Sequence, residues 1–295
     1  RPFSNINKTI NRNQENNLRQ NYLTTKVKRQ KKDSCIFITN FIVMEAYVKS
    51  HIEHGINTIE FFHPQSNSLP GKILEELAHE IHFAGTHDDT KVIILKSAGE
   101  KTFCSGASFD ELVAIENEAA GLKFFSGFAH VINAMRKCPK FIIGRIQGKC
   151  VGGGVGIAAA VDYAIATDKA EVKLSELAVG IGPFVVGPAV ERKVGTAAFS
   201  ALSIDATSWR SSDWAKRKGL FAELHDSIEN MDEAVYKLAN TLAHSNPAAM
   251  AEMKKIFWKE TEHWDELLKE RAAISGRLVL SEFTRNAINK FKTRS

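Results

Sequence analysis

Gln147-Gly148-Lys149-Cys150-Val151-Gly152-Gly153-Gly154-Val155-Gly156-Ile157-Ala158, followed by Asp162-Tyr163-Ala164-Ile165-Ala166, is the stretch on which the reading of this chain turns. The apolar run Phe141–Ile146 before it reads as a strand and the glycine cluster as a tight loop. The small residues that follow read as a short helix, and Tyr163–Thr167 as the next strand. A loop that passes directly from a strand into a helix exposes the first amides of that helix. Those N–H groups lack partners within the helix and carry partial positive charge, so they can receive an anion or a developing oxyanion. Glycine lets the backbone come close.

A second loop of the same kind, Phe103-Cys104-Ser105-Gly106-Ala107-Ser108, follows the strand-like run Lys91–Leu95. Two such amides would make an oxyanion hole. Beyond the glycine cluster, Ser175-Glu176-Leu177 leads into Gly180-Ile181-Gly182-Pro183, which puts one carboxylate in a stretch poor in other charges. Burial of that stretch would raise the carboxyl pKa toward values useful for proton transfer. A rival reading takes Gly154 to Ala159 as G-x-G-x-x-A, with Glu176 on the ribose of a dinucleotide. It is weak, because too few residues separate Gly154 from the strand after Asp162 for a full crossover helix.

Working outward, Tyr47–Glu53 and Ile56–Phe62 alternate around a turn at Gly55, as in a β-hairpin. Pro70 opens a helix through Ile73, Leu74, Leu77, Ala78 and Ile81. Helices are expected near 109–116 and 119–136, with residues 102–108 as a loop. Strands alternate with helices, so the class is α/β. From about Ala197 the pattern is largely helical, with amphipathic runs near 229–243, 247–261 and 264–280, where Phe257, Trp258 and Trp264 suit packing or subunit contact. The expected organisation is a basic, disordered leader over 1–43, a core over 44–228 and a helical region over 229–295.

The net charge of +5 is unevenly placed: residues 1–43 hold nine Lys/Arg against Glu15 and Asp33, so the remainder is nearly neutral. That leader is Asn-rich, with little amphipathic pattern and no aromatics interleaved for base stacking. It suits a solvated tail better than a targeting presequence or a nucleic-acid arm. The four cysteines form no C-x-x-C pair or disulfide framework, which points to a reducing, cytoplasmic setting. The apolar stretch Cys35 to Val43 is well short of the ~20 residues that span a bilayer, so no membrane partner is expected.

The glycine-cluster stretch, the Phe103–Ala107 loop and the Ser175–Pro183 segment, in this order and spacing, resemble the crotonase (enoyl-CoA hydratase/isomerase) superfamily, and the likeness runs from about 47 to 291. The resemblance implies a spiral of ββα units with a helical C-terminal oligomerisation region, assembling as a homotrimer or homohexamer. It implies an acyl-CoA thioester as substrate, with coenzyme A part of that substrate and no separate cofactor, metal or nucleic acid. The amides of Ala107 and Gly153 would hold the thioester oxygen and Glu176 would move protons. Ser105, Gly106 and Gly152 would lie against the substrate, and Lys290 would meet the CoA phosphates.

One departure matters. Hydratases of the family carry a second glutamate two residues after the glycine triplet, and this chain has Gly156 there. Hydration with two carboxylates loses a member, whereas moving a double bond can use one. Asp110 or Glu111 could supply a substitute acid, although each also suits a helix start. Asp162 matches a structural position, and Cys104 suits a small apolar filler. The expected activity is therefore isomerisation or hydration of an enoyl-CoA. A catalytically inert acyl-CoA-binding protein, or a crotonase that makes or breaks carbon–carbon bonds, is the alternative.

Overall fold

A computed structural model of the protein describes residues 45–292; the expected disordered leader at 1–43 lies outside the described residues. Strands β1 (Tyr47–Glu53) and β2 (Ile56–Phe62) pair antiparallel from Tyr47↔Phe62 to Glu53↔Ile56. His54 (φ 50°) and Gly55 (φ 82°) close them, and two left-handed residues match the twist of a tight hairpin.

From β2 onward the chain repeats one unit: a strand in a large sheet, a short strand in a smaller sheet, then a helix. The first unit is β2, β3 (Ser68–Leu69) and α1 (Gly71–Thr86). The second is β4 (Val92–Ser97), β5 (Thr102–Cys104) with β6 (Gly106–Ala107), then α2 (Phe109–Val113) and α3 (Glu118–Lys137). The third is β7 (Phe141–Ile146), β8 (Lys149–Val151) and α4 (Gly153–Ala160). The fourth is β9 (Tyr163–Thr167), β10 (Val172–Lys173), a 3₁₀ turn (Leu177–Val179) and α5 (Gly187–Ile204). After α6 (Ser212–Arg217), strand β11 (Glu223–His225) completes a six-stranded sheet in the order β1-β2-β4-β7-β9-β11, parallel from β2 on. This is the ββα spiral expected from the sequence. The stretch 102–108 is not a plain loop: β5 joins β8 and β10 in a three-stranded sheet, and β6 pairs with β3. Strands of two or three residues are too short for alternation to reveal them.

The large sheet is covered on both faces. In β4, Ile93 and Leu95 enter the main core, whereas Val92 and Ile94 turn to the opposite face, and β7 divides its residues in the same way. The second face is covered by α7 (Ile228–Ala243) through Met231, Val235 and Ala239. Arg145 of β7 fixes α7 in place by donating to both oxygens of Asp232, at 2.6 and 3.0 Å. Helices α8 (Pro247–Phe257), α9 (Trp264–Leu278) and α10 (Glu282–Lys292) follow. Helix α9 crosses α3 so closely that a Cβ on Gly121 would lie 2.6 Å from Gly276 Cα. Trp258 and Trp264 pack edge-to-face in the core, while Phe257 stacks on Phe141 and stays half exposed. No helix of the described residues is long and apolar enough to cross a membrane.

Candidate active site

Because β10, β8 and β5 lie side by side, the segments leaving their C-terminal ends meet, although they are far apart in sequence. Residues 105–107, 152–153 and 175–176 come at the same stage of three successive turns of the spiral, where a short strand gives way to the helix after it. Together they line one cleft, with about 600 Å³ of empty space that is partly open to solvent. Ser105, Gly106, Ala107, Gly152, Gly153 and Glu176 all line it, so six of the seven residues named from the sequence come together. Lys290 does not: it sits on the exposed face of α10 and is not among the lining residues.

The two glycine loops touch. Gly106 has φ +88°, and a Cβ there would stand 2.8 Å from Val151 O and 3.3 Å from Gly153 N. Only a residue without a side chain both adopts that conformation and allows the approach. Gly153 is the first residue of α4, whose leading N–H groups have no acceptor within the helix. The ring of Phe128 on α3 occupies the space a Cβ on Gly153 would need, so the aromatic wall of the cleft rests directly on this amide. Ser108 caps α2 by accepting from Glu111 N, which ends the Ala107 loop cleanly.

Glu176 faces the two loops. Its Oε1 lies 3.0 Å from where a Cβ of Gly152 would be, and its Oε2 is buried with no hydrogen-bond partner among the described residues. The residue as a whole keeps some exposure, but its carboxyl end is enclosed. Burial without a compensating cation pushes its pKa up from 4.5 to about 7. It neither caps the 3₁₀ turn with its side chain nor pairs with a lysine. Phe109, Leu112, Phe125, Phe128, Val179 and Ile181 supply apolar walls, and Glu176 is the only ionisable group among the lining residues.

The candidate second acids are engaged elsewhere. Glu111 Oε2 accepts from Gly71 N at 2.7 Å, at the start of α1, and Asp110 accepts from Gln65 Nε2 at 3.0 Å. Neither lines the cleft. At Gly156 the space for a side chain is filled, since a Cβ would stand 2.5 Å from Val186 Cβ. The dinucleotide reading fails on the same geometry: α4 spans only Gly153–Ala160, too short for a crossover helix, and Glu176 points into the cleft. Asp162 has structural partners, accepting from Ile142 N, Lys254 Nζ and Trp258 Nε1 at 2.7 to 3.0 Å. Cys104 is fully buried, its thiol pushed up to about 12 by desolvation, and lies outside the cleft lining. No group of three or more His, Cys, Asp and Glu among the described residues could hold a metal ion. The sequence reading missed Phe128, Val186 and Ser275, which line the cleft from other helices or loops and carry no local signature.

The spiral of ββα turns is the architecture of the crotonase superfamily. Solved structures share it: an enoyl-CoA hydratase from Bacillus halodurans superposes with TM-score 0.77 at 20% identity, covering 83% of this chain and 99% of that one. One from Mycobacterium avium subsp. paratuberculosis K-10 gives 0.73 at 22% identity, covering 84% and 96%. The family model described as enoyl-CoA hydratase/isomerase matches residues 51–290, and the chain belongs to that family. Among curated relatives, the carnitinyl-CoA dehydratase of Escherichia coli (strain K12) is 28% identical over 241 residues, 74% of this chain and 89% of the relative. A Mycobacterium tuberculosis (7aS)-7a-methyl-1,5-dioxo-2,3,5,6,7,7a-hexahydro-1H-indene-carboxyl-CoA hydrolase is 26% identical over 196 residues, 65% of this chain and 75% of the relative.

Proposed function

We propose that the protein is an acyl-CoA enzyme that shifts a carbon–carbon double bond, with Glu176 carrying the proton and the amides of Ala107 and Gly153 holding the thioester oxygen. The observation that carries this reading is the solitary, enclosed carboxylate in an apolar cleft. With a 3-enoyl-CoA, ionised Glu176 takes a proton from C2. The electrons of that C–H bond move through C2 to the thioester oxygen, giving a dienolate. Two converging N–H donors stabilise the oxyanion, and losing one such donor commonly costs about 3–4 kcal/mol of barrier. The protonated Glu176 then gives its proton to C4, the double bond lies between C2 and C3, and no atom is gained or lost. An acyl-CoA substrate brings coenzyme A with it, and this chemistry calls on no further cofactor.

Hydration needs a second group to hold and deprotonate water. Val186 fills the space beside Gly156, and Glu111 and Asp110 are committed elsewhere, so the single-base reaction is favoured. The test is incubation with 3-enoyl-CoA and, separately, 2-enoyl-CoA. Conjugated 2-enoyl-CoA is expected from the first, with loss of the reaction in E176Q. Formation of 3-hydroxyacyl-CoA from the second at a comparable rate overturns isomerisation in favour of hydration. Thioester binding with no turnover of either overturns it in favour of an inert binder. A homotrimer or homohexamer is part of the same proposal, supported by the exposed Met253, Ile256 and Phe257 of α8, and light scattering of the purified chain tests it.

A further inference from the structure

The chain turn that carries Glu176 is held from the far end of the sequence. Thr284, on the first turn of α10, is fully buried, and its hydroxyl donates to Gly180 O at 3.1 Å. The Ser281 hydroxyl accepts from Thr284 N at 3.3 Å and donates to Thr284 Oγ1 at 2.9 Å. Ser281 thus caps α10 and leaves the Thr284 proton free to point only at Gly180. Gly180, left-handed at φ 82°, terminates the 3₁₀ turn that starts after Glu176. A Cβ there would meet Thr284 Oγ1 at 2.5 Å and the Phe283 ring at 2.6 Å, so the helix is seated hard against the turn. On either side of Gly180, Val179 N and Ile181 N donate to the carbonyl of Glu176, at 3.1 and 3.0 Å. The same helix packs against α2, which continues the Ala107 loop.

We propose that Thr284 is a positioning residue for Glu176, fixing through Gly180 the turn that holds the carboxylate inside the cleft. The inference rests on the proposed role of Glu176. Oε2 has no partner of its own, so no hydrogen bond fixes that oxygen and its place depends on the turn that carries it, which is anchored through Thr284. Releasing that anchor lets the turn shift and water reach the carboxyl. Displacements of about 1 Å at a catalytic group can cost about 100-fold in rate. Hydration also restores an ordinary carboxylate pKa. No charged group competes for this effect within the cleft: Asp110 and Glu111 of α2, and Glu282, Arg285 and Lys290 of α10, lie outside its lining.

The experiment uses the full chain, 3-enoyl-CoA, and the variants T284V, T284S and E176Q. T284V keeps the volume and removes the donor. It is expected to lower kcat about tenfold or more with KM changed by less than about threefold, and to move the acid limb of the pH profile down by about one unit. T284S keeps the hydroxyl and is expected to match wild type. Should T284V fail to fold, S281A removes the donor that orients Thr284 and is read in the same way. Unchanged kcat in T284V, a lowered kcat with an unmoved pH midpoint, or equal damage in T284S overturns the role of Thr284. Full activity in E176Q overturns the role of Glu176 itself and the proposal with it. Loss in E176Q beside an unchanged T284V condemns only the latch.

Discussion

Replacing Glu176 by Gln should stabilise the protein in alkaline solution while abolishing its activity. Burial raises the carboxyl pKa from 4.5 to about 7, so between these values the folded chain holds a proton that the unfolded chain has released. The unfolded state binds fewer protons, and stability therefore falls as pH rises from about 4.5 to about 7. Below 4.5 both states are protonated and the cost is absent; above about 7 both are ionised and the cost is complete. At about 1.4 kcal/mol for each tenfold change in the proton equilibrium, the interval amounts to roughly 3 kcal/mol. It is an upper bound, because Glu176 retains part of its surface. Glutamine is neutral at every pH and does not carry this cost.

For a folded body of this size, 1 kcal/mol moves Tm by about 2–4 °C, so the gap between E176Q and wild type should widen by up to roughly 6–12 °C from pH 4.5 to pH 8. Thermal unfolding of both proteins across that range measures it. The change of the gap with pH is diagnostic, since any packing difference between Glu and Gln contributes equally at each pH. In its proposed role as base Glu176 must be ionised to act, so kcat/KM of wild type with 3-enoyl-CoA should rise about tenfold per pH unit below the midpoint and level off above it. A gap that is the same at pH 5 and pH 8 would refute the enclosed, unpaired carboxylate on which the site rests.

Placing a methyl group at Gly153 drives it into the Phe128 ring, so G153A should lose at least about 100-fold in kcat, with F128A in the same chain recovering part of it, measured by steady-state turnover. G156A pushes against Val186 and should cost about 1–3 kcal/mol of stability, read from denaturant unfolding; V186A in combination should relieve it. K254M strands the Asp162 carboxylate, 7% exposed as a side chain, and should cost about 3–5 kcal/mol, or a fall in Tm of roughly 10 °C, without moving the pH profile of any surviving activity.

How legible all this was in the sequence depended on distance along the chain. The hairpin, the strand Phe141–Ile146 and the glycine loop could be read because their signals are local: alternation, apolar runs and glycines at a strand-to-helix junction. Glu176 stood out as a lone acid in an apolar stretch. Helix α5 was seen only from about Ala197, because its charged residues Glu191, Arg192 and Lys193 are consecutive rather than spaced along one face and Gly195 (φ 78°) breaks its regular geometry. Helix α10 falls within the helical region expected over 229–295 but was given no run of its own, and Thr284 went unrecognised, since a threonine that bonds Gly180 across more than a hundred residues looks like any other. Phe128 and Val186 were hidden for the same reason: their importance comes from the atoms they exclude at Gly153 and Gly156, and exclusion has no sequence signature.

The spiral explains why so small a set of residues can form a site. Each turn adds a short strand beside the last, so an equivalent junction reappears a strand spacing of about 4.8 Å away, near enough for two amides to approach one oxygen. In the proposed role the amides need no side chain, which suits glycine and alanine at positions 153 and 107. Variation then falls on what the fourth turn brings and on what fills the space beside α4. Here it brings one carboxylate, and Val186 stands where a second could have been. On the proposed reading the fold brings the two amides together through its geometry, whereas the outcome for the substrate rests on the few side chains that admit or exclude water around Glu176.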